Sequence, residues 1–366
     1  MTTLIESANL RIGPDHPKMK KKPPHFFPCD PKKVIAEIGK GALLESLKKM
    51  LLIRHFEMRG EAAYQQGKVG GFYHSYMGQE AIAAGCIAAA GTAHWFTTTY
   101  RCHALALLLG TTPDEAMCEL YGKANGVAMG RGGSMHMYAD RMLGGLAIVG
   151  GHVPIATGAA FSIKYLKQKG LASFCFLGEG AVAQGAVHET LNIAALWDLP
   201  CIYVIENNQW GMGTSVSRAL CMEPIAETLA KCYGLKSYTF DGMDFFSSYA
   251  VFEDALREVV ATSRPVLIEA VTERFRGHSI SDPALYRTKE DLAKTMERDP
   301  IILFKEALIE HKILTEAQYE EFDKEQKAIV LASMKLAEES PFPDPIVLEE
   351  GVFAPEENPK QYPEKK

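Results

Sequence analysis

The sequence predicts an α/β protein, a mostly parallel β-sheet with helices on both faces, extended by helices at its N- and C-terminal ends. Three observations predict it. A β-leaning apolar run, Phe174-Cys175-Phe176-Leu177, breaks at Gly178-Glu179-Gly180. A helix-like stretch follows over residues 186–196. Pro200 then opens a second apolar run, Cys201-Ile202-Tyr203-Val204-Ile205, which breaks at Glu206-Asn207-Asn208. A strand, a helix and a strand close by a right-handed crossover, which makes the strands parallel. Glu179 and Asn208, 29 positions apart, therefore leave the same carboxyl edge of one sheet.

Open α/β sheets bind ligands at that edge. The Glu179 carboxylate, the Asn208 amide oxygen and a backbone carbonyl from the next loop form an oxygen-only donor set, which suits Mg²⁺ or Ca²⁺ better than Zn²⁺. Such an incomplete cage leaves room for water and phosphate oxygens, which points to a metal that clamps a phosphorylated ligand. Taken alone, Gly178-Glu179-Gly180 is more often an ordinary turn between strand and helix; the spacing to Asn207-Asn208 shifts the balance.

Composition narrows the function classes. The chain has 366 residues, 47% hydrophobic and 23% charged, enough for a full α/β core. A net charge of −6 gives no basic field and argues against a nucleic-acid partner. No apolar run approaches the ~18 residues that span a bilayer, and no signal-peptide core stands at the N-terminus, so a cytoplasmic protein without a membrane partner is expected. Eight cysteines without a Cys-x-x-Cys pair read as reduced structural thiols.

Along the chain, residues 1–40 are proline-rich and read as an extended arm that gains order by lying on something; Lys18, Lys20, Lys21 and Lys22 form a basic run within it. Residues 41–298 carry the binding domain. It starts with an amphipathic helix near Gly41, passes through Phe72-Tyr73-His74-Ser75-Tyr76, and continues into a small-residue helix over residues 81–90. Thr97-Thr98-Thr99-Tyr100-Arg101 reads as a helix start with hydroxyl caps, placing Arg101 where an anion would be held. Thr112-Pro113 starts another helix. The glycine-rich passages 130–137 and 144–151 contain no P-loop, and Gly178-x-Gly180 continues to Gly185 rather than to a third glycine at the dinucleotide spacing, which weakens an NAD-linked alternative. Val266-Leu267-Ile268-Glu269-Ala270 is a further buried strand, running into Arg274-Phe275-Arg276-Gly277-His278, where His278 could meet a phosphate or move a proton; an isolated histidine is as readily structural. Helices over residues 299–340 begin at Asp299-Pro300 and at the capping box Thr315–Gln318, and a proline-rich tail covers 341–366.

The ordered motifs of this chain resemble those of the α subunits of thiamine-diphosphate-dependent E1 components of 2-oxo acid dehydrogenase complexes, most closely the pyruvate dehydrogenases. They are Gly71-Phe72-Tyr73-His74 with Gly78-Gln79-Glu80-Ala81, Thr99-Tyr100-Arg101, Gly132-Gly133-Ser134-Met135-His136-Met137, Gly178-Glu179-Gly180-Ala181, Glu206-Asn207-Asn208, Gly211-Met212-Gly213-Thr214-Ser215, Asp241-Gly242-Met243-Asp244, and Gly277-His278-Ser279 through Ser281-Asp282-Pro283. They span roughly residues 45–340. The resemblance implies a thiamine-diphosphate-binding fold and an oxidoreductase that decarboxylates a small 2-oxo acid, preferably pyruvate, with a disulfide acceptor. Acetoin or branched-chain substrates, and a catalytically silent scaffold, are the alternatives.

It further implies that Glu179, Asn208 and the Trp210 carbonyl ligate Mg²⁺, and that Gly178, Gly180 and Ala181 lie against the diphosphate of thiamine diphosphate. Tyr100, Arg101 and His278 would lie on the diphosphate side, Ala147 and Val149 would cradle the aminopyrimidine, and His74 would face the substrate. His74 and His278 are the catalytic candidates. The implied partners are an E1 β subunit, in an α₂β₂ heterotetramer, and a lipoyl-bearing E2 core. Two departures stand out: Glu179 replaces the usual aspartate, and Ala183 stands where asparagine is common. The first predicts a slightly shifted loop, the second one polar partner fewer. Ser279 occupies a position phosphorylated in mitochondrial relatives, but reads here as a solvated loop serine.

Overall fold

The computed structural model describes residues 24–349. The basic run at 18–22 and the tail beyond 349 lie outside them. Six parallel strands form the sheet: β1 (Trp95–Thr99), β2 (Met142–Leu146), β3 (Ser173–Gly178), β4 (Cys201–Asn207), β7 (Lys236–Asp241) and β8 (Val266–Val271), in the order β2-β1-β3-β4-β8-β7. A separate antiparallel hairpin is made by β5 (Trp210–Gly211) and β6 (Thr214–Ser215). Strand registers fix the centre, with Gly178 beside Glu206 on β3 and β4, and Asn207 beside Val271 on β4 and β8.

The two central strands are apolar from Phe174 to Leu177 and from Cys201 to Ile205 because both faces are covered. Phe174, Phe176, Ile202 and Val204 face one core with Phe240, Ile268 and the helix Phe245–Thr262. Cys175, Leu177, Tyr203 and Ile205 face the other, against the helices Val153–Tyr165, Gly185–Leu196 and Ile225–Tyr233. The small-residue helix Glu80–Ala90 lies so close to Phe245–Thr262 that a Cβ added at Gly85 would meet the Ser248 Cβ at 2.4 Å. Alanines and a glycine make that approach possible.

Three expectations need correction. Thr97-Thr98-Thr99 does not start a helix: these residues belong to β1, held between β2 and β3, and the helix begins only at His103. Branched threonines serve a buried strand as well as a cap. Met142–Leu146, within a passage read only as glycine-rich, is an edge strand. Within the arm, Pro31–Ile38 is helical, because the Asp30 side chain caps the Lys32 amide at 3.0 Å and proline occupies the first turn. The preceding residues lie along edge strand β7, where the Phe27 N–H donates to the Thr239 carbonyl at 2.7 Å.

Helices Lys40–Gln65, Pro300–Glu310 and Glu316–Glu339 pack beside this body. Arg54 ties the first to the helix Glu80–Ala90 by donating to Glu80 at 2.6 Å, and to the second by donating to its cap Asp299 at 2.7 Å. All eight cysteines are free.

Candidate active site

Strand β3 ends at Gly178 and turns through a single 3₁₀ turn, Glu179–Ala181, before the next helix starts at Gly185. β4 ends beside it. The Asn208 N–H donates to Glu179 Oε2 at 3.3 Å, so the two strand ends close on each other. Glu179 is 2% exposed, and burial pushes its carboxyl above the ordinary range while Arg274 and Arg101 pull it back.

The two asparagines divide the work. Asn207 donates to Glu269 at 2.8 Å and accepts from the Gln209 side chain at 2.9 Å, while Glu269 caps the helix Ile225–Tyr233 through the Ile225 and Ala226 amides. It belongs to the scaffold. Asn208 faces the cleft, and its Oδ1 accepts from the Trp210 N–H at 3.4 Å.

These strand ends form the floor of a cleft of about 530 Å³. Glu179, Asn208, Trp210, Gly178, Gly180, Ala181, Tyr100, Arg101, Ala147, Val149, His74 and His278 all line it. Arg101 is buried and pins two loops, donating to the Ser75 carbonyl at 2.7 Å and to the His278 carbonyl at 2.6 Å. Burial, then the neighbouring Arg274 cation, lower its pKa to about 10. It remains a cation at neutral pH, offered to an anion.

Three rings form the opposite wall. The His74 centroid is 4.4 Å from Tyr100 and 5.0 Å from His278, and Tyr100 is 5.5 Å from His278. Burial and then Arg101 lower His74 to about 3 and His278 to about 4, so both imidazoles are neutral near pH 7. Arg274, a donor only, points Nη1 at His278 Nδ1 at 3.3 Å, which leaves the His278 proton on Nε2. The His74 Nδ1 is buried without a partner.

Sequence reasoning assigned no role to four further lining residues. Arg274 also donates to the Met212 carbonyl and the Tyr286 hydroxyl. Glu206 accepts from Tyr76, and burial raises it to about 7. Both polar atoms of the Gln79 amide are buried without partners, and His152 Nε2 donates to the Phe176 carbonyl at 2.8 Å. The motifs containing Gln79 and Glu206 were the only signal available.

Ser279 is not solvated: it is 5% exposed, and its hydroxyl lies 2.9 Å from that of Ser281. Asp282 draws the loop inward by accepting from the His278 amide and the Tyr286 hydroxyl, both at 2.7 Å.

The sequence over residues 48–346 matches the family model for the dehydrogenase E1 component. The chain belongs to the dehydrogenase E1 component family. Among relatives of this E1 chain, a Rickettsia felis protein is 42% identical over 303 residues, covering 82% of this chain and 92% of the relative. A Rhizobium meliloti protein is 40% identical, covering 85% and 89%. A mitochondrial protein of Schizosaccharomyces pombe is 38% identical, covering 87% and 77%. All three are named as the α subunit of the pyruvate dehydrogenase E1 component. No helix among the described residues of the E1 chain is long and apolar enough to cross a membrane.

Proposed function

We propose that this chain is the α subunit of a pyruvate dehydrogenase E1 component that, with a β subunit, decarboxylates pyruvate and passes the acetyl group to a lipoyl-bearing E2 core. One observation carries the reading. The strand-end pair Glu179 and Asn208 opens onto the same cleft as Arg101, His74 and His278, in a chain about 40% identical to proteins named for that activity.

The residues present fit thiamine diphosphate and Mg²⁺. Among the described residues no cluster of three or more His, Cys, Asp or Glu side chains forms a metal cage. A single carboxylate with amide and carbonyl oxygens suits an ion that takes the rest of its shell from diphosphate and water. Glu179, Asn208 and the Trp210 carbonyl would hold it. Gly178 and Gly180 leave the floor bare of side chains: a Cβ on Gly180 would stand 3.6 Å from the Gly211 Cα, and one on Gly178 would meet nothing within 4 Å.

Bound there, the cofactor supplies an electron sink for the decarboxylation. Arg101 neutralises the diphosphate, with Tyr100 and His278 beside it. Ala147 and Val149 present small apolar surfaces to the aminopyrimidine. His74 is neutral and lines the cleft, so its imidazole would offer the substrate a hydrogen bond without a competing charge. The acid that activates the cofactor is assigned to the β subunit, completing an α₂β₂ assembly. Cytoplasmic placement belongs to the same reading and is supported by bacterial relatives.

The test is reconstitution with a β subunit and assay of pyruvate, acetoin and branched-chain 2-oxo acids. Pyruvate should be preferred, and the α chain alone should be inactive. Turnover by the α chain alone, or a complex silent with all three substrates, overturns the reading.

A further inference from the structure

Behind the ring wall, four segments meet at a dry polar row. Glu57 on the helix Lys40–Gln65, Tyr73 and His103 are fully buried, and Ser134 is 2% exposed. The Tyr73 hydroxyl donates to Glu57 Oε2 at 2.7 Å. Glu57 Oε1 lies 3.0 Å from His103 Nδ1. His103 Nε2 lies 2.9 Å from the Ser134 carbonyl and 3.0 Å from its Oγ. Ser134 Oγ accepts the His74 N–H at 3.3 Å. Gly60 makes the row possible, since a Cβ there would stand 2.2 Å from the Tyr73 hydroxyl oxygen.

Serine, histidine and glutamate in a hydrogen-bonded row is the constellation of an acyl-transfer nucleophile. That use is excluded here. Ser134 is not among the residues lining the cleft, and its oxygen already accepts from the His74 backbone. A carbonyl only accepts, so His103 Nε2 carries a proton and donates to Ser134 O. The row ends on the His74 main chain rather than on a substrate.

We propose that Glu57, His103 and Ser134 are positioning residues that set the direction of His74. The inference rests on the reading of His74 as the imidazole that faces the 2-oxo acid. His74 Nδ1 has no partner, and the ring is otherwise bounded by the rings of Phe72, Tyr100 and His278. The orientation of the imidazole therefore depends on its backbone, which the Ser134 hydroxyl holds. The same row fixes neighbouring cleft residues, because Tyr100 and Arg101 stand just before Cys102, the cap of the His103 helix, and Met135 directly follows Ser134. A fully engaged buried row locks one geometry, and a small displacement of a positioned group is costly in rate.

The experiment uses the reconstituted αβ complex carrying Ser134→Ala, His103→Leu, His103→Gln, His74→Ala or the double variant Ser134→Ala/His74→Ala. Steady-state kinetics with pyruvate are read beside the Kd of thiamine diphosphate by calorimetry. Ser134→Ala and His103→Leu should lower kcat/KM by about tenfold to a hundredfold, with the cofactor Kd held within about threefold. His103→Gln, which keeps an N–H for the Ser134 carbonyl, should recover part of the loss. Ser134→Ala should cost little once His74 is gone. Unchanged kinetics in Ser134→Ala, or full additivity in the double variant, overturns the inference. A wild-type complex that binds no thiamine diphosphate overturns the functional reading instead.

Discussion

Glu179 and Asn208, 29 positions apart, are joined by a 3.3 Å hydrogen bond from the Asn208 amide to the Glu179 carboxylate. That contact places a buried carboxylate at the meeting point of two parallel strands, facing Arg101 and Arg274. Replacing Glu179 with glutamine keeps the shape and removes the charge. Metal-dependent binding of thiamine diphosphate should then weaken by at least about a hundredfold, near 2.7 kcal/mol, in calorimetry on the αβ complex. Glu179→Asp should retain binding to within about tenfold. Equal affinity in Glu179→Gln would remove the carboxylate from the metal site.

The adjacent asparagines should separate cleanly. Asn207→Leu leaves the buried Glu269 carboxylate short of a donor and should destabilise the chain by about 1–3 kcal/mol in denaturant titration. Asn208→Ala should leave the unfolding midpoint nearly unchanged and weaken cofactor binding. The reverse pattern would mean that their roles are exchanged.

The two ring-wall histidines predict an acid limb of stability. Both sit below the ordinary value of 6.5, His74 at about 3 and His278 at about 4, because burial and Arg101 disfavour the cation. Below pH 6.5 the unfolded chain binds protons that the folded chain refuses. The stabilisation is therefore complete above that pH and is lost as pH falls towards about 4. Relative to wild type, the Tm of His278→Gln should rise on moving from about pH 7 to about pH 5. A constant difference would show that His278 titrates normally.

Helix packing offers a test independent of the cleft. Gly85→Val inserts a side chain where even a Cβ would stand 2.4 Å from that of Ser248. The helices Glu80–Ala90 and Phe245–Thr262 must then part, at a cost of about 1–3 kcal/mol or more. A thermal midpoint equal to wild type would show that the contact is loose.

Strands β3, β4 and β8 were legible because they are buried on both faces and so appear as apolar runs ending in turn residues, whereas β7, Lys236–Asp241, was not read as a strand. β1 was not, since Thr97 and Thr98 look like caps until they are seen buried between two neighbours. β2 carries two glycines, which mask a strand. In the cleft, Gln79 and Arg274 are residue types found on most surfaces. Only their burial beside the strand ends gives them meaning. Ser279 misled for the same reason, because a polar loop looks solvated until Asp282 is seen folding it inward.

The order of residues by itself determined the strand-helix-strand unit around Glu179 and Asn208, the threonine cap at Thr112, the capping box at Thr315, and the chemistry delivered to the carboxyl edge. These are local matters of periodicity, turn geometry and donor type. Tertiary structure alone decided that Asn207 is spent on Glu269 and Gln209, where the Arg101 guanidinium is spent, and that Glu57, His103 and Ser134 form one row behind His74. Those outcomes depend on burial and on partners tens to hundreds of positions away, and a hydrogen bond acquires its meaning only when the groups at both ends have left water.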